Sequence, residues 1–290
     1  MPELPEVETI ARALAQGGRE GVPIVGHTLH SAEVLWARSL AEPALAEFQR
    51  RLPGQQVTAV GRRGKFLQIR LTQDTLLIHL RMSGDLRVEP AQGADGRPLA
   101  ALPHDRALFN FADNLRLAFN DTRKFGRIWL LADPQKILAE LGPEPLDPDF
   151  TPEDLYQLLQ QRQRQLKPLL LDQAFMAGLG NIYTDEALHL AGLHPTRLSR
   201  SLSQAESARL WAAIRQVLEE GIRRNGASID WVYRGGSFQN TFRVYQRTGQ
   251  PCPVCGHPIE RLLIGQRGTH ICPVCQPPGG QAVSPPAENS

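Results

Sequence analysis

The residues with the clearest chemical potential lie at the N-terminus. The sequence begins Met1-Pro2-Glu3, so removal of Met1 leaves Pro2 as a free secondary amine with a carboxylic acid beside it. A secondary amine can attack a carbon at the aldehyde level and form an iminium ion, a reaction that suits abasic sugars. These residues therefore predict covalent iminium chemistry at the start of the chain.

The other end of the chain carries four cysteines with the spacing of metal ligands. They form two CxxC pairs separated by sixteen residues: Cys252, Cys255, Cys272 and Cys275. Each pair can supply two thiolates to one tetrahedral Zn²⁺, and a site closed by four ligands is structural. Disulfide pairing is the less favoured alternative, because no other cysteine exists and the usage is that of a reduced, cytosolic protein. The flanking His257 and His270 are not needed as ligands. Zinc modules of this kind are often used on nucleic acid.

Two glycine-containing turns are candidate phosphate sites. Arg267 lies in the turn Gly265–Thr269 between the cysteine pairs, where its guanidinium can bond two phosphate oxygens at once. Gly178-Leu-Gly-Asn181 precedes a predicted helix, whose free N–H groups favour an anion. A turn that only packs two helices together is an equal alternative for the second.

Two further turns place a bulky residue and an arginine before a glycine. They read His79-Leu-Arg-Met82-Ser-Gly and Asp121-Thr-Arg123-Lys-Phe125-Gly. Such side chains resemble wedges that replace an extruded base in a duplex. Single Met and Phe residues are more often part of a core, and on the turns alone that interpretation is favoured.

The composition restricts the class of protein. The 290 residues are 41% hydrophobic and 21% charged, with a formal net charge of +2, so any affinity for DNA must come from local patches. Basic runs occur at 62–65, 123–127, 162–167 and 223–224. The N-terminus lacks the apolar region of a signal peptide and no apolar stretch is long enough to span a bilayer. We therefore expect a cytoplasmic protein that does not use a membrane.

The pattern of elements predicts an α+β multidomain chain. A leading helix from Leu4 to about Gln16 precedes a strand-rich region expected to form an antiparallel β-sandwich over residues 1–133. The proline-dense stretch 134–150 predicts a linker, and residues 151–248 a helical domain with caps at Thr151 and Ser203 and short strand-like runs after residue 226. Residues 249–276 form the cysteine module, and the tail 277–290 is expected to be disordered.

Taken in order, these motifs resemble those of bacterial formamidopyrimidine-DNA glycosylases. The resemblance covers all but about the last dozen residues, and it rests on the N-terminal Pro-Glu-Leu-Pro-Glu, Arg63-Gly-Lys65, the two wedge-like turns, Gly178–Tyr183 and the four cysteines. It implies a bifunctional glycosylase and abasic-site lyase for oxidised purines in duplex DNA. It also implies a β-sandwich with a leading helix, a helix–two-turns–helix domain and a zinc finger with one structural Zn²⁺, in a monomer.

The resemblance also implies roles for particular residues. Pro2 would attack C1′ of the damaged nucleotide, Glu3 would be the general acid, and Lys65 and Arg267 would assist β- and δ-elimination. The void-filling set would be Met82, Arg123 and Phe125, which reverses the core interpretation. The DNA contacts would be His104, Arg123, Arg162, Lys167 and Asn181.

Three alternatives remain at this stage. An endonuclease VIII-type enzyme for oxidised pyrimidines shares fold and mechanism, although Leu4 favours the purine enzyme. A damaged-DNA-binding zinc protein without catalysis would not need Pro2, Glu3 and Lys65. An RNA-binding zinc module would need an aromatic stacking stripe that the sequence lacks. The short segment 225–240, with Trp231 and Tyr233, leaves the lesion preference open.

Overall fold

The computed structural model describes residues 1–228 and 235–278. It divides into two compact units, Met1–Glu140 with Asn225–Gly236, and Leu141–Arg224 with Ser237–Ser290. Trp231 and Tyr233, and the predicted tail from residue 279 onward, lie outside the described residues.

The first unit begins with the predicted helix. Helix α1 spans Leu4–Gln16, and the face that carries Val7, Ile10 and Leu14 is buried as expected. A capping box opens the helix. Glu3 and Glu6 each accept the backbone N–H of the other, so two of the N–H groups that a helix start leaves unpaired are satisfied. The start of α1 is therefore fixed by the acidic residues that follow Pro2.

Two sheets follow α1. The strands and short helices are β1 (Leu29–Val34), β2 (Leu40–Glu42), α2 (Leu45–Arg51), β3 (Val57–Arg63), β4 (Phe66–Leu71), β5 (Thr75–His79), β6 (Gly84–Pro90), β7 (Asp105–Phe111), β8 (Leu115–Asp121), β9 (Arg127–Leu131) and α3 (Gln135–Leu138). The sheet orders are β1-β7-β8-β6 and β2-β9-β5-β4-β3. All pairs are antiparallel except β2–β9, which is parallel.

One hydrophobic cluster joins both sheets to the leading helix. Phe109 of β7 and Phe119 of β8 are completely buried, as are Leu67 of β4 and Ile78 of β5 in the other sheet. Side chains of α1 such as Ile10 belong to the same cluster. The predicted β-sandwich with a leading helix is confirmed.

The second unit contains a group of α-helices. They are α4 (Pro152–Gln160), α5 (Leu166–Leu170), α6 (Asn181–Leu190) and α7 (Gln204–Arg223). The predicted capping boxes at Thr151 and Ser203 are both present. Helices α4 and α6 pack on α7. A Cβ at Gly221 would lie 2.5 Å from the Tyr183 ring, so this glycine permits the close approach of α6 and α7.

The cysteine module adds a two-stranded hairpin, β10 (Glu260–Ile264) and β11 (Arg267–Ile271). Among the described residues before it, the predicted strand-like runs are wrong: the chain forms a short 3₁₀ helix at Phe238–Thr241 and turns. The aromatic side chains of this segment explain the difference, since Phe238 stacks on Tyr183 of α6 at 4.9 Å instead of lying in a sheet.

The first unit ends at Glu140, inside the stretch 134–150 expected to be a linker, and that stretch contains the short helix α3. Asn225–Gly236, expected within the helical domain, belongs to the first unit. A contact explains this, because Glu6 accepts the N–H of Ala227 at 2.7 Å. Within the described residues, no helix has the length and hydropathy needed to cross a membrane.

Candidate catalytic and nucleic-acid-binding site

The N-terminal residues are held in a buried position at the start of α1. Pro2 is buried, and Glu3 is 2% exposed. The Glu3 N–H donates to Oε2 of Glu6 at 2.7 Å, and the other carboxylate oxygen of Glu6 accepts from Ala227. Glu6, which sequence reasoning did not single out, therefore fixes the backbone next to Pro2. The capping-box pattern Glu-x-x-Glu was the available signal.

Lys65 lies in the turn between β3 and β4. Gly64 adopts the left-handed conformation (φ 55°) that a tight hairpin requires, and Lys65 is 5% exposed. The hairpin packs beside α1, where Arg62 donates to Glu8 at 2.7 Å. Lys65 is thus a largely buried lysine, carried by the same unit as Pro2 and Glu3.

His79 is a further candidate site residue, which lies in the segment His79–Gly84 but was not among the predicted site residues. Its Nδ1 accepts the N–H of Arg81 at 3.1 Å, so the ring proton is on Nε2 in the neutral form. Burial and the positive charges of Arg81 and Lys65 lower the pKa of His79 to about 3. The imidazole is therefore a neutral donor close to Lys65. The sequence signal that could have identified His79 is its place in the motif that also contains Met82.

The two wedge-like turns present their side chains to the surface. Phe125 is 49% exposed, Arg123 is exposed and Met82 is half-buried. The Arg123 guanidinium carbon lies 5.2 Å from the centre of the Phe125 ring. A core role for Phe125 is excluded by this exposure, and an exposed aromatic beside an arginine is suited to stacking on bases. The exposed His104 lies in the loop before β7.

The phosphate-site candidates of the second unit meet at the β10–β11 turn. Asn181 begins α6 and its Nδ2 donates to the Gly268 carbonyl oxygen at 3.0 Å. Lys167 donates to the same oxygen at 3.0 Å and to Oδ1 of Asp185 at 2.6 Å. Arg267, next to Gly268, remains exposed at the start of β11.

Lys167 therefore does not have the position expected of a DNA contact. Its side chain and that of Asp185 are both 0% exposed, so the ammonium group is enclosed by protein. The burial corrects the sequence expectation: Lys167 supports the turn that carries Arg267. Arg162, in contrast, is exposed in the loop after α4, and its role in DNA contact remains a prediction.

The four cysteines are brought together as expected for a metal site. Their Sγ atoms all lie within 4.8 Å of one another, with Cys252 and Cys275 3.8 Å apart. Four Zn–S bonds of about 2.3 Å in a tetrahedron require a similar S···S separation, so the residues fit one zinc ion. His270 is bonded to Asp185 instead and is not part of the set. The nearby His189 lies with Nε2 3.4 Å from Sγ of Cys252.

Comparisons with known proteins agree with this architecture along nearly the whole chain. Residues 1–128 match the formamidopyrimidine-DNA glycosylase N-terminal domain, 141–232 its H2TH domain, and 249–278 the zinc finger found in FPG and IleRS. The chain belongs to the formamidopyrimidine-DNA glycosylase family. It is accordingly a DNA-repair glycosylase with a helix–two-turns–helix domain and one structural zinc site.

Individual relatives cover almost the full chain. Formamidopyrimidine-DNA glycosylase of Chloroflexus aggregans is 45% identical over 285 residues, which are 95% of this chain and 98% of the relative. That of Pelotomaculum thermopropionicum is 44% identical over 285 residues, covering 95% and 99%. The Lactococcus lactis glycosylase, solved with DNA containing N7-benzyl-Fapy-dG, has a TM-score of 0.85 at 35% identity, covering 95% of this chain and 100% of that one.

Proposed function

We propose that this formamidopyrimidine-DNA glycosylase removes oxidised purines, 8-oxoguanine and formamidopyrimidines, from duplex DNA and then cleaves the abasic site. Similar proteins have been solved with DNA that contains a carbocyclic 8-oxo-G or an AP site, which supports this substrate class. The enzyme would act as a monomer in the cytoplasm.

The first step is a displacement at C1′ of the damaged nucleotide. With Met1 removed, the Pro2 nitrogen attacks C1′, the bond from C1′ to the base breaks, and the departing base takes up the proton that the Pro2 nitrogen releases. Glu3 protonates the ring oxygen, which opens the sugar and yields a Schiff base between Pro2 and C1′. The observation that carries this proposal is the burial of Glu3 to 2% exposure beside Pro2, at a helix start where Glu6 holds its backbone.

Two eliminations follow from the Schiff base. Loss of a proton from C2′ expels the 3′ phosphate, and loss of a proton from C4′ in a second elimination expels the 5′ phosphate. We assign proton transfer and phosphate contact in the first elimination to Lys65, because it is a largely buried lysine beside the neutral His79. Arg267 has the corresponding role in the second, since an exposed guanidinium can bond two phosphate oxygens at once.

We assign DNA recognition to six side chains. Met82 and Phe125 fill the space left by the extruded nucleotide and Arg123 faces the orphaned cytosine, while His104, Arg162 and Asn181 contact the DNA. The exposure of most of these side chains and the stacking of Arg123 on Phe125 support this assignment, and Met82 and Asn181 are half-buried.

Incision of defined duplexes tests the proposed substrate. A duplex with one 8-oxoguanine opposite cytosine is expected to be cut at the lesion, leaving phosphate on both ends of the gap. The same duplex with thymine glycol or dihydrouracil is the matched control. Faster cutting of the pyrimidine lesions would support the endonuclease VIII-type alternative and refute the proposed specificity.

A further inference from the structure

The two turns that carry Met82, Arg123 and Phe125 are joined by one hydrogen-bonded link. Ser83, which follows Met82, donates its hydroxyl proton to Oδ1 of Asp121. The same hydroxyl oxygen accepts the backbone N–H of Arg123 at 2.9 Å. Ser83 is 4% exposed, so a single buried side chain of the first turn bonds the second turn at two points.

Asp121 completes the link from the second turn. Its Oδ2 accepts the N–H of Gly126 at 2.7 Å, and its Oδ1 lies 3.2 Å from the N–H of Arg123. Asp121 is 0% exposed. A buried carboxylate is costly unless donors surround it, so these donors and the carboxylate hold one another in place. The Asp121 side chain therefore bonds the segment 121–126 at two of its backbone N–H groups.

The backbone of Asp121 is fixed to the sheet as well. Its N–H donates to the His104 carbonyl at 2.9 Å, and its carbonyl accepts from Nε of Arg106 at 2.7 Å. In the β6–β8 ladder, Asp121 is directly paired with Gly84, the residue after Ser83. The link therefore starts from a position that the sheet itself determines.

Neither turn has room to adjust on its own. A Cβ on Gly84 would lie 2.5 Å from the carbonyl oxygen of Leu80. A Cβ on Gly126 would lie 2.3 Å from Cζ of Phe119. Both turns thus end where the backbone is in tight contact with its surroundings. The Ser83–Asp121 hydrogen bond limits the movement of one turn relative to the other.

We propose that Ser83 and Asp121 are positioning residues that hold the two turns at a fixed spacing, so that Met82, Arg123 and Phe125 enter a base stack together. The proposal rests on the proposed function, because it assumes that these side chains replace an extruded nucleotide. Ser83 and Asp121 do not themselves touch the DNA. Their effect is on the geometry of side chains that do, where displacements of about 1 Å are enough to change rates strongly.

Ser83→Ala tests the link with the smallest change. It removes the hydroxyl that joins the turns but leaves Asp121 bonded to Gly126. Ser31→Ala is the matched control, because it deletes a hydroxyl of the same sandwich whose oxygen accepts a hydrogen bond from Asn110 Nδ2 at 3.2 Å. Both variants are made in the full chain with Met1 removed.

The readout compares abasic-site cleavage in duplex and in single-stranded DNA. Single-stranded DNA has no base stack to enter, so its cleavage reports the Schiff-base chemistry and the folded fraction. Ser83→Ala lacks the link, so we expect it to cleave duplex DNA about tenfold more slowly than the wild type. Its cleavage of single-stranded DNA is expected to change by less than about twofold. Ser31→Ala is expected to match the wild type on both.

A 2-aminopurine placed opposite the abasic site supplies a second readout of wedge insertion. Its fluorescence change on binding the wild-type enzyme is expected to be reduced with Ser83→Ala. Equal losses on both DNA forms, or no loss on duplex DNA together with an unchanged fluorescence signal, would overturn the proposal. A wild-type enzyme that cleaves neither form would refute the proposed function instead, and the fluorescence signal alone would then decide the role of Ser83.

Discussion

The Lys167 ammonium group lies 2.6 Å from the Asp185 carboxylate and 3.0 Å from the Gly268 carbonyl, next to Arg267. Through this arrangement, a buried ion pair between α5 and α6 supports the turn that carries an exposed arginine. The turn is therefore stabilised by Lys167, and the exposed Arg267 side chain is not needed for that purpose.

Lys167→Met is expected to reduce the free energy of unfolding by about 3–5 kcal/mol, because the buried Asp185 carboxylate loses the charge of Lys167 and retains the hydrogen bond from the His270 N–H. Denaturant unfolding monitored by circular dichroism measures this. Lys136→Met is the control, since its pair with Glu42 is exposed and worth about 1 kcal/mol or less. Equal stability losses for the two variants would contradict the supporting role of Lys167.

Glu3→Gln is expected to separate the two chemical steps. The glutamine oxygen can still accept the Glu6 N–H of the capping box, so stability should change little, but it cannot donate a proton as a general acid. Base excision should fall by about 10²–10⁴-fold, with cleavage of a preformed abasic site largely retained. Glu8→Gln, on the same helix, controls for loss of charge. Unchanged excision by Glu3→Gln would rule out the assigned acid.

His189→Phe is expected to weaken zinc retention. The imidazole Nε2 lies 3.4 Å from Sγ of Cys252, where it can donate to a zinc-bound thiolate, and loss of such outer partners costs about 10–100-fold in metal affinity. Transfer of zinc to a colorimetric chelator measures the effect. His194→Phe is the control, because His194 bonds Thr196 and no cysteine. Identical release rates for both variants would show that His189 does not assist the metal site.

His79→Gln is expected to make the protein less sensitive to mild acid. Since the pKa of His79 is lowered to about 3 by burial and by Arg81 and Lys65, the unfolded chain binds a proton that the folded one does not between pH 6.5 and 3. Wild-type stability should therefore fall with decreasing pH in this window, by up to about 1.4 kcal/mol per pH unit from His79. Denaturant unfolding at several pH values between 6.5 and 5 measures how the free energy of unfolding changes with pH in the wild type and in His79→Gln. A wild-type slope in His79→Gln would contradict the burial argument.

Local patterns predicted much of the architecture. The apolar face of α1 and the capping boxes at Thr151 and Ser203 depend on residues within one or two helical turns, so the sequence displays them directly. The cysteine spacing predicted the zinc site for the same reason. The two turns alone favoured a core position for Phe125, which its 49% exposure excludes, and its void-filling role, implied by the resemblance, stays a prediction.

Contacts between distant residues could not be predicted in this way. The resemblance implied that Lys167 contacts DNA, but the sequence does not show its partners, which lie 18 and 101 positions away. The segment after Arg224 joins the first unit through the bond between Glu6 and Ala227, which are 221 positions apart. Tertiary packing decides both cases, and no local pattern contains that information.

The most direct test of the central claim is borohydride trapping on a duplex with one 8-oxoguanine opposite cytosine. Mass spectrometry of the reduced product is expected to locate the sugar on Pro2, and an enzyme that retains Met1 should give no adduct, because its Pro2 nitrogen is an amide. An adduct on a lysine, or trapping by the Met1-retaining form, would contradict Pro2 as the nucleophile.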